Sequence, residues 1–184
     1  IISNLKSNSN SFKHFIQNLS NKHQQFVFGH FFGFGIGVKE SYKEYFRLMR
    51  LSSDQGHVLA DCEIAYWYDS GYGAVEKNEE LSFEYYLRAA TKGYSVAQFK
   101  VGICYGRGSG VKRDESLALK WFKKSAENGY SEGYSKVGKW YFLGIGTEMN
   151  EEEGIRWFQL SAEKGNYDGL LKMGLFYFYG IVVE

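Results

Sequence analysis

The sequence predicts an all-α fold, a right-handed superhelix of antiparallel helix pairs, and three observations predict it. Small residues recur at Gly29, Ala65, Gly102, Gly138 and Gly174, at steps of 36 or 37 residues. An aromatic follows three residues after each, at Phe32, Tyr68, Tyr105, Tyr141 and Tyr177, which fixes one register for the whole chain. A glycine pair and then a helix-capping residue come next in the first four copies. A period of this length belongs to stacked repeats, each of which buries its apolar face against a neighbour.

Composition supports a packed helical chain and removes other classes. The 184 residues include 15 phenylalanines, 15 tyrosines and 4 tryptophans, ample for a core, and are 44% hydrophobic. A net charge of +1 gives no electrostatic case for nucleic acid or for an anionic membrane, because phosphate binding needs a clustered basic excess. No apolar run approaches the roughly 20 residues of a membrane span, so membrane insertion is not expected. Cys62 and Cys104 are too few for a disulfide scaffold and lack zinc-site spacing, and are expected as small buried residues.

Residues 1–22 open on Ile rather than Met and are rich in Ser and Asn, so the chain is expected to be a fragment. They carry no signal-peptide pattern. Phe12 lies 36 residues before Leu48, so this segment reads either as the second helix of a degenerate repeat or as a linker. Asn18-Leu19-Ser20 matches a glycosylation triplet, meaningful only in a secreted protein. Four repeats are expected over 23–58, 59–95, 96–131 and 132–167, which together make a domain of residues 23–168, followed by the first helix of a truncated fifth over 168–184.

Each repeat opens with a helix of about twelve residues, whose apolar face in the third copy is Ala97, Val101 and Tyr105. A glycine pair ends it: Gly35 and Gly37, Gly71 and Gly73, Gly108 and Gly110, Gly144 and Gly146. The second helix starts at Ser41, Asn78, Asp114 and Asn150, all residues whose side chains accept from free backbone N–H groups. Ser41 with Glu44, and Asn150 with Glu153, have capping-box spacing. Bulky Leu48, Tyr85, Trp121 and Trp157 are followed five residues later by small Ser53, Ala90, Ala126 and Ala162. Trp121 and Trp157 are therefore expected to be buried anchors. Glycine closes the helix at Gly56, Gly93, Gly129 and Gly165, and no proline occurs anywhere. A mid-helix glycine costs about 1 kcal/mol against alanine, so Gly29, Gly102, Gly138 and Gly174 imply close helix approach.

The run A-x-x-x-V-G-x-x-Y-G-x-G-x-G-V-x-x-D-x-x-x-A-x-x-W-F-x-x-S-A-x-x-G from Ala97 resembles the Sel-one-like repeat (SLR), a relative of the tetratricopeptide repeat, over about 160 positions. Departures are Ala65 for glycine, one inserted residue within 73–76, Leu48 and Tyr85 in place of tryptophan, and the shortened fifth copy. The resemblance implies an α-solenoid that serves as an adaptor in assembling protein complexes. Two alternatives come with it: a regulatory repeat region of a larger signalling protein, for example a kinase-associated one, and a hydrolytic or penicillin-binding helical-repeat protein. The cysteine-rich proteins behind the last alternative staple each repeat with a cysteine pair, whereas Cys62 and Cys104 occupy different repeat positions.

Strings that look catalytic are explained by the repeat. Gly129-Tyr130-Ser131-Glu132-Gly133 matches G-x-S-x-G, which needs a strand before it, but a helix precedes it here. An inter-repeat turn with Ser131 as a helix cap is expected instead. Gly33, Gly35 and Gly37 lack dinucleotide-loop spacing and a leading strand. His14, His23, His30 and His57 show no metal-ligand spacing. No catalytic residue, metal or cofactor is nominated, and the chain is read as non-enzymatic.

The positive candidate is a binding surface. Aligned to the tetratricopeptide pattern, the first helices line a concave face presenting Phe26, His30, Cys62, Tyr66, Phe99, Ile103, Arg107, Ser135, Lys139, Leu171 and Leu175. Tyr66, Phe99, Ile103, Arg107 and Lys139 are the expected contacts for a protein or peptide partner, the alternative for each being packing against a neighbouring repeat. Arg107 and Lys139 lead, since a charged side chain is rarely buried without a partner. A cytoplasmic location is expected from the unpaired cysteines, with the endoplasmic reticulum as the family's alternative. Leu171, Leu175 and Phe178, left without a following helix, are an expected route to self-association.

Overall fold

The computed structural model describes residues 20–73 and 75–181, so the degenerate helix or linker expected over 1–22 lies, up to residue 19, outside the described residues, as does the glycosylation asparagine. Among the described residues there are nine α-helices and no strand. The chain divides into two compact units, 1–88 and 89–184. The first holds α1 (Lys22–Phe34), α2 (Tyr42–Asp54), α3 (Val58–Ser70) and most of α4 (Glu79–Thr91). The second holds α5 (Ser95–Arg107), α6 (Glu115–Glu127), α7 (Ser131–Leu143), α8 (Glu151–Glu163) and α9 (Tyr167–Phe178). In the first unit α1 packs on α2 and α2 on α3, and Tyr68 of α3 stacks on Tyr85 of α4 with ring centres 6.1 Å apart; in the second each of α5 to α8 packs on the next, and α9 also touches α7.

The helix lengths are set by their ends. In the third repeat Gly108 adopts φ 79°, a left-handed conformation that glycine enters at little steric cost, and its N–H returns to the Cys104 carbonyl. Each second helix then starts at its expected cap: the side chains of Ser41, Asn78, Asp114 and Asn150 accept from Glu44, Leu81, Leu117 and Glu153 N–H groups at 3.4, 2.8, 2.8 and 2.9 Å. The expected reciprocal half of the capping box is absent for a structural reason. The N–H of each cap already donates to the carbonyl of the repeat aromatic, Phe32, Tyr68, Tyr105 or Tyr141, at 2.8–2.9 Å. Glu44 instead pairs with Arg47, and Glu153 accepts from Trp157 Nε1. One hydrogen bond thus closes every hairpin at the same two repeat positions.

The expectation that Trp121 and Trp157 are the buried anchors is corrected. Both are half-buried; the side chains sealed in the core are their successors, Phe122 and Phe158, with Met49 at the same position of the first repeat. These residues face the small residue of the first helix. A Cβ on Gly102 would lie 2.6 Å from the Phe122 ring, one on Gly138 3.1 Å from Phe158, and one on Gly29 2.2 Å from the Met49 methyl. Trp121 sits about 100° around the helix from Phe122, at the rim, where the Lys124 ammonium lies 4.6 Å from its ring. Close approach accounts for Gly29, Gly102 and Gly138, and Ala65 is likewise fully buried. Gly174 differs, with nothing within 4 Å of a Cβ built there.

The first unit adds a polar element that the repeat does not specify. Asp61 is fully buried in α3, where its carboxylate accepts from Ser53 Oγ at 2.7 Å and pairs with Arg88 of α4. Arg88 also reaches the Ser53 carbonyl at 3.2 Å, so three helices meet at one ion pair. His57 caps α3, its Nδ1 accepting from Ala60 N–H at 3.3 Å.

Candidate functional site

The five surface candidates separate into two kinds. Tyr66 of α3 is 53% exposed, and Arg107 and Lys139 are exposed as well. Phe99 and Ile103 are half-buried and pack on the cluster around Phe122, with the Phe99 ring 5.2 Å from the rings of Phe122 and Tyr130. Their contacts are those of packing. Of the other residues aligned to that face, Ser135 is buried and donates to the Glu132 carbonyl at 3.2 Å, and His30 donates its Nδ1–H to the Phe26 carbonyl at 2.9 Å.

The structure brings Lys139 into a cleft of about 370 Å³ between α7 and α9. Its walls are Ser135, Lys136, Lys139 and Leu143 of α7, with Asp168 and Lys172 of α9; its floor is Phe142, Phe158 and Phe176. Phe142 and Phe176 are stacked with ring centres 5.7 Å apart, and Phe158 meets Phe176 edge-on at 5.9 Å, a well-packed aromatic base. Lys136 is half-buried, and burial, then the positive charges of Lys139 and Arg107, hold its ammonium below the usual lysine range against the pull of Asp168. A concave, aromatic-floored site with a few convergent charges has the character of a binding pocket. Sequence reading found Lys139 but missed Lys136 and Lys172. A signal was present: Lys100, Lys136 and Lys172 recur at 36-residue spacing.

The expected role of Ser131 as a helix cap is corrected: Tyr130 holds the cap position without a side-chain hydrogen bond, and Ser131 is the first residue of α7, its Oγ donating to Glu132 at 2.9 Å. The G-x-S-x-G string is the end of the turn after α6, Gly129 and Tyr130, followed by the first three residues of α7, with a helix and no strand leading into it. Burial pushes the Cys62 thiol up to about 12, with Asp61 and Glu63 adding to the shift, which leaves it protonated and a poor nucleophile at neutral pH. Cys62 is half-buried and Cys104 buried. Among the described residues no group of three His, Cys, Asp or Glu side chains is placed to hold a metal ion, and no helix is long and apolar enough to cross a membrane.

Helix pairs joined by glycine turns, with small residues facing large ones at a fixed period, define an SLR-type α-solenoid protein. The chain belongs to the Sel1 repeat family: the repeat matches residues 26–57, 58–94, 95–130, 131–166 and 168–184. Its fold is similar to that of c5321, a protective antigen of uropathogenic Escherichia coli strains displaying an SLR fold, at 27% identity and a TM-score of 0.84. That match covers 100% of this chain but 38% of c5321. A Sel1 repeat protein from Oxalobacter formigenes matches at 23% identity and a TM-score of 0.84, covering 96% of this chain and 73% of that one. Helicobacter pylori cysteine-rich protein B matches at 20% identity and a TM-score of 0.54, over 68% of this chain and 94% of its own. No curated protein matches the sequence. Sel1 repeats form a scaffold typical of protein–protein interaction, generally without catalytic residues of their own.

Proposed function

We propose that this chain is a non-enzymatic scaffold or adaptor that docks a protein or peptide segment on the face built by the first helices of its repeats. The observation that carries this reading is the cleft between α7 and α9, where Lys139 stands over an aromatic floor. In the first unit the same reading assigns the contact to exposed Tyr66. Phe99 and Ile103 support the face from beneath, and Arg107 sits at the end of α5, within electrostatic reach of Lys136. A chain with only two cysteines, at different repeat positions, fits a reducing compartment, and we place the protein in the cytoplasm on that ground.

Peptides selected from a random display library on the purified chain test this. Binding is expected to fall about tenfold or more in Lys139→Glu or Tyr66→Ala, and to be unchanged by Arg156→Ala on the outer side of α8. Selected peptides that ignore the first two variants and respond to the third, or a library that yields no binder, would sink the reading.

A second contact surface is carried by α9, which exposes Leu171, Leu175 and Phe178, the last at 81%. An apolar stripe of this kind marks a contact site, and we propose another copy of the chain as its occupant. Sedimentation at rising concentration is expected to show dimer in the parent and monomer in Leu171→Lys/Leu175→Lys. A parent that stays monomeric throughout contradicts it.

A further inference from the structure

The cleft of the second unit is basic as well as aromatic. Lys136, Lys139 and Lys172 line it against one opposing carboxylate, that of Asp168. Among the described residues none of these lysines, nor Arg107, forms an ion pair. Two other cations of the same unit do pair with acids, Arg113 with Glu115 and Arg156 with Glu152. Three like charges are thus gathered around the aromatic floor: Lys139 and Lys172 reach solvent, while Lys136 is half-buried, its ammonium 5.8 Å from the Phe122 ring, and its repulsion is the least screened of the three. An entering anion would relieve that repulsion. The basic character is also local: Lys100, Lys136 and Lys172 hold one repeat position in the second unit, and in the first unit that position is Val27 and then Glu63, which accepts from the Tyr45 hydroxyl at 2.9 Å.

Resting on the docking reading above, we propose that this cleft takes an acidic segment of a partner polypeptide bearing one bulky apolar side chain. The apolar side chain sits on Phe142, Phe158 and Phe176, and carboxylates on either side of it meet Lys136, Lys139 and Lys172. Charge complementarity selects the acid, and the aromatic floor selects the apolar residue. A nucleic-acid strand fits less well, because its affinity grows with the number of phosphates neutralised and the cleft offers three lysines with Asp168 among them.

Fluorescence anisotropy tests this with a labelled peptide in which one phenylalanine is flanked on each side by two aspartates. Saturable binding is expected, weakening as salt is raised. Replacing the aspartates by asparagines, or the phenylalanine by glycine, is expected to lower affinity about tenfold each. Lys139→Glu and Lys172→Glu are expected to do the same, and Lys120→Glu on α6 to change nothing. Both cleft lysines are exposed, so these variants keep the fold, which circular dichroism checks; Lys136→Gln is the milder second probe of the half-buried member. Equal affinity for the asparagine peptide overturns the proposal. So does a uridine oligonucleotide that binds more tightly than the peptide and loses to the same variants, or a self-association that Lys139→Glu abolishes, which would make a second copy the occupant. A neutral or basic peptide that maps to this cleft would leave the docking reading standing and remove only the acidic one.

Discussion

Phe122→Ala is expected to lower the stability of the second unit by about 3–5 kcal/mol, the range for emptying a sealed aromatic site, whereas Trp121→Ala costs about 1–2 kcal/mol, because its ring is only half-buried at the rim. Tryptophan is the larger and more conspicuous residue, so the order runs against its size. The Phe122 side chain is fully buried. It presses on Gly102, and its ring centre lies 5.2 Å from that of Phe99 and 5.0 Å from that of Trp140. Alanine there leaves a void that two helix backbones, already touching at a glycine, have little room to close. Chemical denaturation measures both costs, on the transition carried by the second unit if the units unfold separately. A Trp121→Ala loss equal to or above that of Phe122→Ala would show that the rim ring, and not its neighbour, joins the hairpin.

Arg88→Leu is expected to destabilise the first unit by about 2–4 kcal/mol. Removing one partner of a buried pair costs about 3–5 kcal/mol, because the other charge stays buried, and the figure is set lower here because the Arg88 side chain is 44% exposed and partly screened. The partners are unequal: Asp61 is fully buried, while Arg88 reaches solvent. Asp61→Leu is therefore expected to cost less than Arg88→Leu, since the freed guanidinium turns to water, and the double variant Asp61→Leu/Arg88→Leu is expected to recover most of the loss. Thermal or urea unfolding of the four proteins closes the cycle. A loss for Arg88→Leu under about 0.5 kcal/mol, within the range of surface substitutions, would mean that the pair does not hold α2, α3 and α4 together.

The contrast between these residues shows which parts of the fold were legible in the sequence. Period, hairpin and caps were legible because each depends on residues near in sequence: Gly108 ends α5 and Asp114 starts α6 whatever the rest of the chain does. Choosing between Trp121 and Phe122 was harder, since adjacent helix positions differ by a rotation of about 100° and only the position of Gly102 decides which one faces inward. The capping box failed for a similar reason. Its donor, the N–H of Ser41 or Asn150, is claimed by a carbonyl of the preceding helix. Asp61 holds a repeat position that is polar and buried in the first and third copies too, as Gln25 and Gln98, but its charge and its partner Arg88, 27 residues on, belong to this copy alone, so nothing local announces the pair. At the candidate site Lys139 was legible as a charge on a predicted face. The cleft around it was not, because it forms between α7 and α9 and needs Phe158 of α8 as its floor.

The central claim is that the first helices of the repeats carry the function and the second helices carry the scaffold. Its most direct test is a nuclear magnetic resonance footprint of a selected peptide on the isotope-labelled chain. Shifts confined in the second unit to the exposed positions of α7 and α9, with Lys139 and Lys172 among the most perturbed, are the result this account predicts. Shifts that cluster on the outer surfaces of α6 and α8, leaving the cleft unperturbed, would contradict it.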